Sequence, residues 1–200
     1  MMVLFAEDLQ AHLYRSNSMW IQLPIDVGLT TAPYYTDKSA AIANEEPLSY
    51  PSKPRHIYLM GYDTLTRFLA PKYYPKFDPP LSALSPFFDA GYGVSVLLRP
   101  NSSSDNAVTN DTEEEQRAYI SALSDGSLEK EGFKREWSKQ IGILEGNDVV
   151  DTVGVSSTAI RKAAKDGDWD EAEKLCTPGV TAWVREMRLY EGDEKGVEMA

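Results

Sequence analysis

The sequence predicts an α/β fold built on a parallel, doubly wound sheet. Short apolar runs recur at Ile57–Met60, Val94–Leu98 and Ile141–Leu144. Helical patterns lie between them, and strands separated by helices build parallel sheets. Residues suited to binding follow the runs: Gly61 and Asp63 after the first, Arg99 after the second, and Ser156, Ser157 and Thr158 after Val149–Val155. In open parallel sheets ligands sit at the carboxyl ends of the strands.

Each element has a local reason. Met1–Tyr14 reads as a helix, with Val3, Leu4, Leu9 and Leu13 among its apolar positions. Ser18–Val27 reads as a strand. Thr36 or Asp37 starts a helix that runs through Ala43. Ile57–Met60 is a buried strand, and Thr64–Leu69 a short helix stopped by Pro71, which cannot continue it. Ser82–Phe88 is a further helix. Gly91-Tyr92-Gly93 lacks the third glycine of a dinucleotide fingerprint and precedes a strand, so it is a turn. Val94–Leu98 is a strand closed by Arg99-Pro100. Asn101–Asp111 is rich in serine and asparagine and reads as a loop, giving a flexible polar stretch near 100–112. Glu113–Leu123 is a helix that stops near Gly126, and Ile141–Leu144 a strand. No internal repeat is visible. The expected organisation is one domain over 1–190 with an acidic tail over 191–200.

Composition narrows the function classes. The chain has 200 residues, 42% of them hydrophobic, enough for one core. Its 31 acidic and 20 basic residues give a net charge of -11. Such a balance argues against a general nucleic-acid binder, which shows a basic face. No apolar stretch approaches the roughly 20 residues of a membrane span. The N-terminal apolar run is broken by Glu7 and Asp8, unlike a secretory signal. The lone Cys176 cannot form an internal disulfide, and its place before Pro178 suits packing. There is no phosphate-binding Gly-x4-Gly-Lys motif, no Cys/His cluster for zinc and no nucleophile elbow.

The most informative run is Val155-Ser156-Ser157-Thr158-Ala159-Ile160-Arg161. Ser and Thr are favoured at helix starts because their oxygens take up unpaired backbone N–H groups. A helix start has free donors and a partial positive charge, which attract phosphate. Arg161 lies three positions after Thr158 and four after Ser157, on the same helix face. Its planar fork can hold two phosphate oxygens. The plain alternative is a capped helix with a surface arginine.

The wider stretch decides between them. From Val155 to Tyr190 the chain carries Val155–Arg161, then Gly167, Pro178 with Val180, and Leu189-Tyr190. In order and spacing this resembles the C-terminal segment of the nicotinamide mononucleotide adenylyltransferases, members of the HIGH-type nucleotidyltransferase superfamily. Arg55–Leu65 resembles that family's strand followed by Gly-x-Asp, here Gly61-Tyr62-Asp63. Ile25–Thr31 and Tyr34–Ser39 resemble its fungal branch. The resemblance implies a Rossmann-like sheet with C-terminal helices, and transfer of AMP from ATP to nicotinamide mononucleotide, giving NAD and pyrophosphate. It implies that Gly61, Asp63, Ser156, Ser157, Thr158 and Arg161 bind ATP, with Ser157, Thr158 and Arg161 acting in the transfer. Lys38, Tyr74 and Arg99 are candidates for the second substrate. Tyr74 stands eleven positions after Asp63, where the family places a stacking aromatic. Mg²⁺ would accompany ATP, with no tightly bound organic cofactor. A nucleic-acid or membrane partner is not expected, and the expected location is the cytoplasm, the nucleus or both.

One departure stands beside the resemblance. The family's N-terminal strand, glycine turn and histidine motif have no counterpart here. The two histidines, His12 and His56, lie in no such motif. The chain therefore corresponds to the later part of the family's domain. Two rival readings stay open: a related nucleotidyltransferase with another nucleotide substrate, and a catalytically defective relative that binds nucleotide or a protein partner.

Overall fold

The computed structural model describes residues 1–16, 24–45, 50–98, 112–144 and 157–190. The polar stretch 99–111, residues 145–156 and the acidic tail 191–200 lie outside them. The chain forms two compact units, Met1–Leu29 with Gly154–Ala200, and Thr30–Val153.

The Thr30–Val153 unit holds helix α2 (Tyr35–Ala43), strand β1 (Ile57–Gly61), α3 (Tyr62–Phe68), α4 (Ser85–Phe88), β2 (Gly93–Leu97), α5 (Glu113–Ala122) and β3 (Ile141–Ile143). The three strands form a parallel sheet in the order β1-β2-β3. Ile57 pairs with Gly93, and Val94 with Ile141. Parallel crossovers are right-handed. Moving from strand to strand in one direction therefore places both crossovers on one sheet face. The winding among the described residues is one-way.

Burial follows that topology. Met60, Val94, Val96 and Ile141 point into the core, while Ile57 is 54% and Leu59 71% exposed. The expectation of a buried first strand is thus corrected: among the described residues β1 is an edge strand, with Ile57 and Leu59 exposed on one face. Pro24–Val27, expected to finish a strand, has no regular structure, and residues 17–23 lie outside the described set. The expected helix over 82–88 is a 3-10 turn (Pro80–Leu84) followed by the short α4, with Pro86 in its first turn.

The core behind the sheet is aromatic. Phe87, Phe88, Phe133 and Trp137 are at most 2% exposed. Phe88 stacks on Trp137 at 5.1 Å and meets Phe87 edge-on at the same spacing. Burying each such ring contributes about 1.5–3 kcal/mol. Trp137 Nε1 donates to Asp89 at 2.9 Å, and Lys134 Nζ reaches the same carboxylate at 2.9 Å. The Lys134 and Trp137 contacts hold the Asp89 carboxyl below its ordinary range. Thr112 and Glu115 close a capping box at the start of α5, which fixes where that helix begins.

The other unit is helical: α1 (Met2–Ser16), α6 (Ser157–Asp166), α7 (Trp169–Leu175) and α8 (Pro178–Glu186). Its small core joins Ala164, Val180 and Val184, with Leu4, Trp169, Cys176, Trp183, Leu189 and Tyr190 packed against it. Pro178 takes the first position of α8, where its missing N–H costs nothing. Gly167 ends α6 at φ +72, a left-handed conformation that favours glycine. Asp168 then caps α7, accepting from Glu171 N–H at 3.0 Å.

Asp8 ties the first helix to the last. Its Oδ2 accepts from Gly179 N–H at 2.8 Å. A Cβ at Gly179 would lie 2.8 Å from that oxygen, so a larger residue there would push the Asp8 carboxylate aside and loosen this bond. The Asp8 carboxyl is held below its ordinary value by the Thr177 hydroxyl and then by the N–H groups of Gly179 and Val180, against the opposing effect of burial. The Thr177 hydroxyl lies beside it just outside hydrogen-bond geometry.

Candidate functional site

The candidate residues fall in both units. In the helical unit, Ser157 is the first described residue of α6, and Ser156 lies outside the described set. Ser157, Thr158 and Arg161 are all exposed. Arg161 Nε donates to the Ser157 carbonyl at 3.0 Å, and its Nη2 to Ser157 Oγ at 3.4 Å. The spacing therefore does bring the guanidinium over the first turn of the helix. Ala163, two positions on and on the opposite side of the helix, is buried, which leaves the arginine on the solvent side. The first turn of α6 thus carries the exposed hydroxyls of Ser157 and Thr158 and the Arg161 cation. Such a surface can receive an anion from solvent.

In the sheet unit, β1 runs straight into α3. Gly61 is the N-cap of α3 at φ -75 and ψ 160, a conformation open to any residue. Its glycine is thus not demanded by backbone angles. Asp63 lies in the first turn of α3 and is half-buried. It is not the N-cap, so a plain capping role does not account for it. Tyr62, between them, is 2% exposed and meets the Tyr119 ring edge-on at 5.7 Å. Thr66 Oγ1 donates to the Asp63 carbonyl at 3.0 Å and steadies the turn.

The second-substrate candidates separate. Lys38 is half-buried on α2, with Nζ 5.1 Å from the Tyr35 ring centroid. Its neighbour Ser39 is 1% exposed and donates to Tyr58 Oη at 3.1 Å. Tyr74 is 8% exposed, and its hydroxyl donates to the Phe68 carbonyl at 2.8 Å. Burial, then Tyr34 and Asp37, raise its hydroxyl to about 12. In this structure Tyr74 is a core residue whose hydroxyl pins the turn after α3. Arg99 lies outside the described residues, one position past Leu98.

Sequence reasoning missed Asp8 and His56. The Asp8–Gly179 contact spans 171 positions, and no local pattern announces it. The His56 ring stacks on Tyr92 at 4.2 Å. Its Nδ1 is buried without a hydrogen-bond partner, and burial holds the imidazole below its ordinary pKa. Among the described residues no group of three His, Cys, Asp or Glu side chains gathers to hold a metal. No helix among them is long and apolar enough to cross a membrane.

The described residues define an α/β protein with a three-stranded parallel sheet and a helical unit that carries a Ser-Thr-Arg helix start. Among known proteins the chain is similar to one from Schizosaccharomyces pombe described as "Putative nicotinamide mononucleotide adenylyltransferase", at 28% identity over 169 residues. That is 83% of this chain and 60% of the yeast protein, so the chain spans about 60% of that relative's length. The likeness places it at a distance from the adenylyltransferases. No family model matches the chain. No solved structure matches it either.

Proposed function

We propose that this chain is the nucleotide-binding part of an adenylyltransferase that joins ATP to nicotinamide mononucleotide. The observation that supports this most is the similarity to the yeast protein across 83% of the chain. The phosphate of the mononucleotide attacks the α-phosphorus of ATP. A new P–O bond forms, the bond to the β-phosphate breaks, and pyrophosphate leaves with NAD as the other product. Such a reaction asks for positioning and charge neutralisation more than for covalent catalysis. Ser156, Ser157, Thr158 and Arg161 hold triphosphate oxygens. Gly61 and Asp63 hold the nucleoside, Asp63 accepting from a ribose hydroxyl. Lys38 and Arg99 serve the second substrate's phosphate. Tyr74, buried and bonded to Phe68, acts by shaping the turn. Mg²⁺ would accompany ATP in this reading and would neutralise charge on its phosphates. The doubly wound sheet of the nucleotidyltransferases belongs to this reading.

A second reading has one observation in its favour. His12 lies on α1 and His56 is stacked against Tyr92, so neither stands in a strand-turn-helix histidine motif. A relative that binds nucleotide without turning it over fits that placement. Titration calorimetry with ATP, CTP and nicotinamide mononucleotide tests both readings, followed by an assay of NAD formation with Mg²⁺. Selective ATP and mononucleotide binding supports the adenylyltransferase reading. Absence of ATP binding, or equal binding of ATP and CTP, sinks it. Selective binding with no turnover by the chain supports the second reading.

A further inference from the structure

The turn after α3 repeats one chemical pair. It reads Pro71-Lys72-Tyr73-Tyr74-Pro75-Lys76-Phe77-Asp78-Pro79-Pro80. Lys72-Tyr73 and Lys76-Phe77 repeat a lysine followed by an aromatic residue. Tyr73 is 43% and Phe77 50% exposed, and both lysines are exposed. Lys72 Nζ stands 5.2 Å from the Tyr73 ring centroid, so one phosphate and its own base could meet the pair together. Asp78 is the acidic residue of the turn.

The turn is stiff. Tyr73 N–H donates to the Ala70 carbonyl at 3.1 Å, Tyr74 N–H to Pro71 at 2.9 Å and Phe77 N–H to Tyr74 at 3.1 Å. The Tyr74 hydroxyl anchors it to Phe68, and four prolines fix backbone angles along it. Two rings are therefore displayed without the entropy cost of ordering a loop when a ligand arrives. The pairs stand out against a chain of net charge -11.

We propose that this turn docks single-stranded nucleic acid, with Tyr73 and Phe77 stacking on bases and Lys72 and Lys76 meeting the adjoining phosphates. A ligand that repeats charge and ring answers a surface that repeats charge and ring. An acidic peptide repeats only the charge, and an anionic membrane offers no rings to stack. Stacking accepts any base, so the contact is not sequence-specific. The chain is acidic overall, and this turn is a local cluster of basic charge in it. Two phosphate contacts predict a log–log salt slope of about -1.4 for a single strand.

Fluorescence anisotropy with a labelled oligo-dT and the full 200-residue chain tests this. The expected result is saturable binding at low salt with that slope. Lys72→Glu with Lys76→Glu abolishes it. Tyr73→Ser with Phe77→Ser weakens it by roughly tenfold or more. Both double variants change exposed side chains, and circular dichroism melts confirm that they fold. No binding at low salt overturns the proposal. So does an unchanged affinity in the ring variant, which would leave charge alone as the cause. Equal or tighter binding of polyglutamate or of phosphatidylserine vesicles also overturns it.

Discussion

Arg161 is already folded onto the turn it is expected to serve, with its guanidinium on Ser157. A triphosphate arriving at this turn would compete with Ser157 for the guanidinium donors. Replacing Arg161 with alanine should weaken ATP binding by about 1.5 kcal/mol or more, near tenfold, the low end for a charge-assisted hydrogen bond. Calorimetry reads this, and unchanged affinity would make Arg161 a surface residue. Lysine at 161 should recover only part of the loss, because it lacks the fork. Asp63→Ala separates binding from structure. If Asp63 holds ribose, nucleotide affinity falls while the melting temperature barely moves. If it serves only the helix dipole, stability drops by about 0.3–1 kcal/mol and binding survives. At this scale the sequence reads well where geometry depends on spacing along one helix, as where Arg161 reaches back to Ser157. It reads poorly where a hydroxyl's partner is set by a turn. The distance of Tyr74 from Asp63 suits a stacking ring or a packing one, and only the fold shows its hydroxyl on the Phe68 carbonyl and its ring in the core.

Strands and helices were legible in kind, less so in surroundings. The apolar runs at β1, β2 and β3 fall within a residue or two of the structure. A run of four or five apolar residues cannot reveal which strand is an edge, because both kinds share the composition. Leu59, 71% exposed on β1, shows the consequence. Edge strands with apolar side chains invite pairing with another chain. Leu59→Lys should lower self-association measured by sedimentation velocity and leave the melting temperature nearly unchanged. A variant that self-associates as strongly as the parent would place the contact elsewhere. On the helical side, Asp8 is the joint between α1 and α8. Its lowered carboxyl stabilises the fold above the ordinary value of 3.8, and that contribution is lost as pH falls through the lowered value. Asp8→Ala should therefore lower the melting temperature at neutral pH and approach the parent's behaviour in strong acid.

The whole molecule carries a second, milder acid sensitivity. Burial keeps His56 neutral, so its folded pKa lies below the ordinary 6.5. A base lowered in this way contributes stability that is complete above 6.5 and fades as pH falls below it towards the folded value. Thermal melts should thus weaken between neutrality and the carboxylate range, and His56→Gln should flatten that limb while leaving the deeper acid transition to Asp8, Asp89 and Glu115. A parent curve as flat as the variant's would contradict this. The division into two units was not readable from composition, since neither stretch differs enough in character. It also has a consequence for how the molecule is made. The helical unit is assembled from residues 1–29 and 154–200, while the sheet unit is the unbroken stretch between. α1 is made before α8, so Leu4, which packs against the Ala164, Val180 and Val184 cluster, and Asp8, which seats Gly179, both wait for residues synthesised far later. The Thr30–Val153 stretch leaves the ribosome in between. Synthesis arrested before residue 154 would release that stretch trailing a helix whose partners were never made, a species that chaperones would be the first to meet.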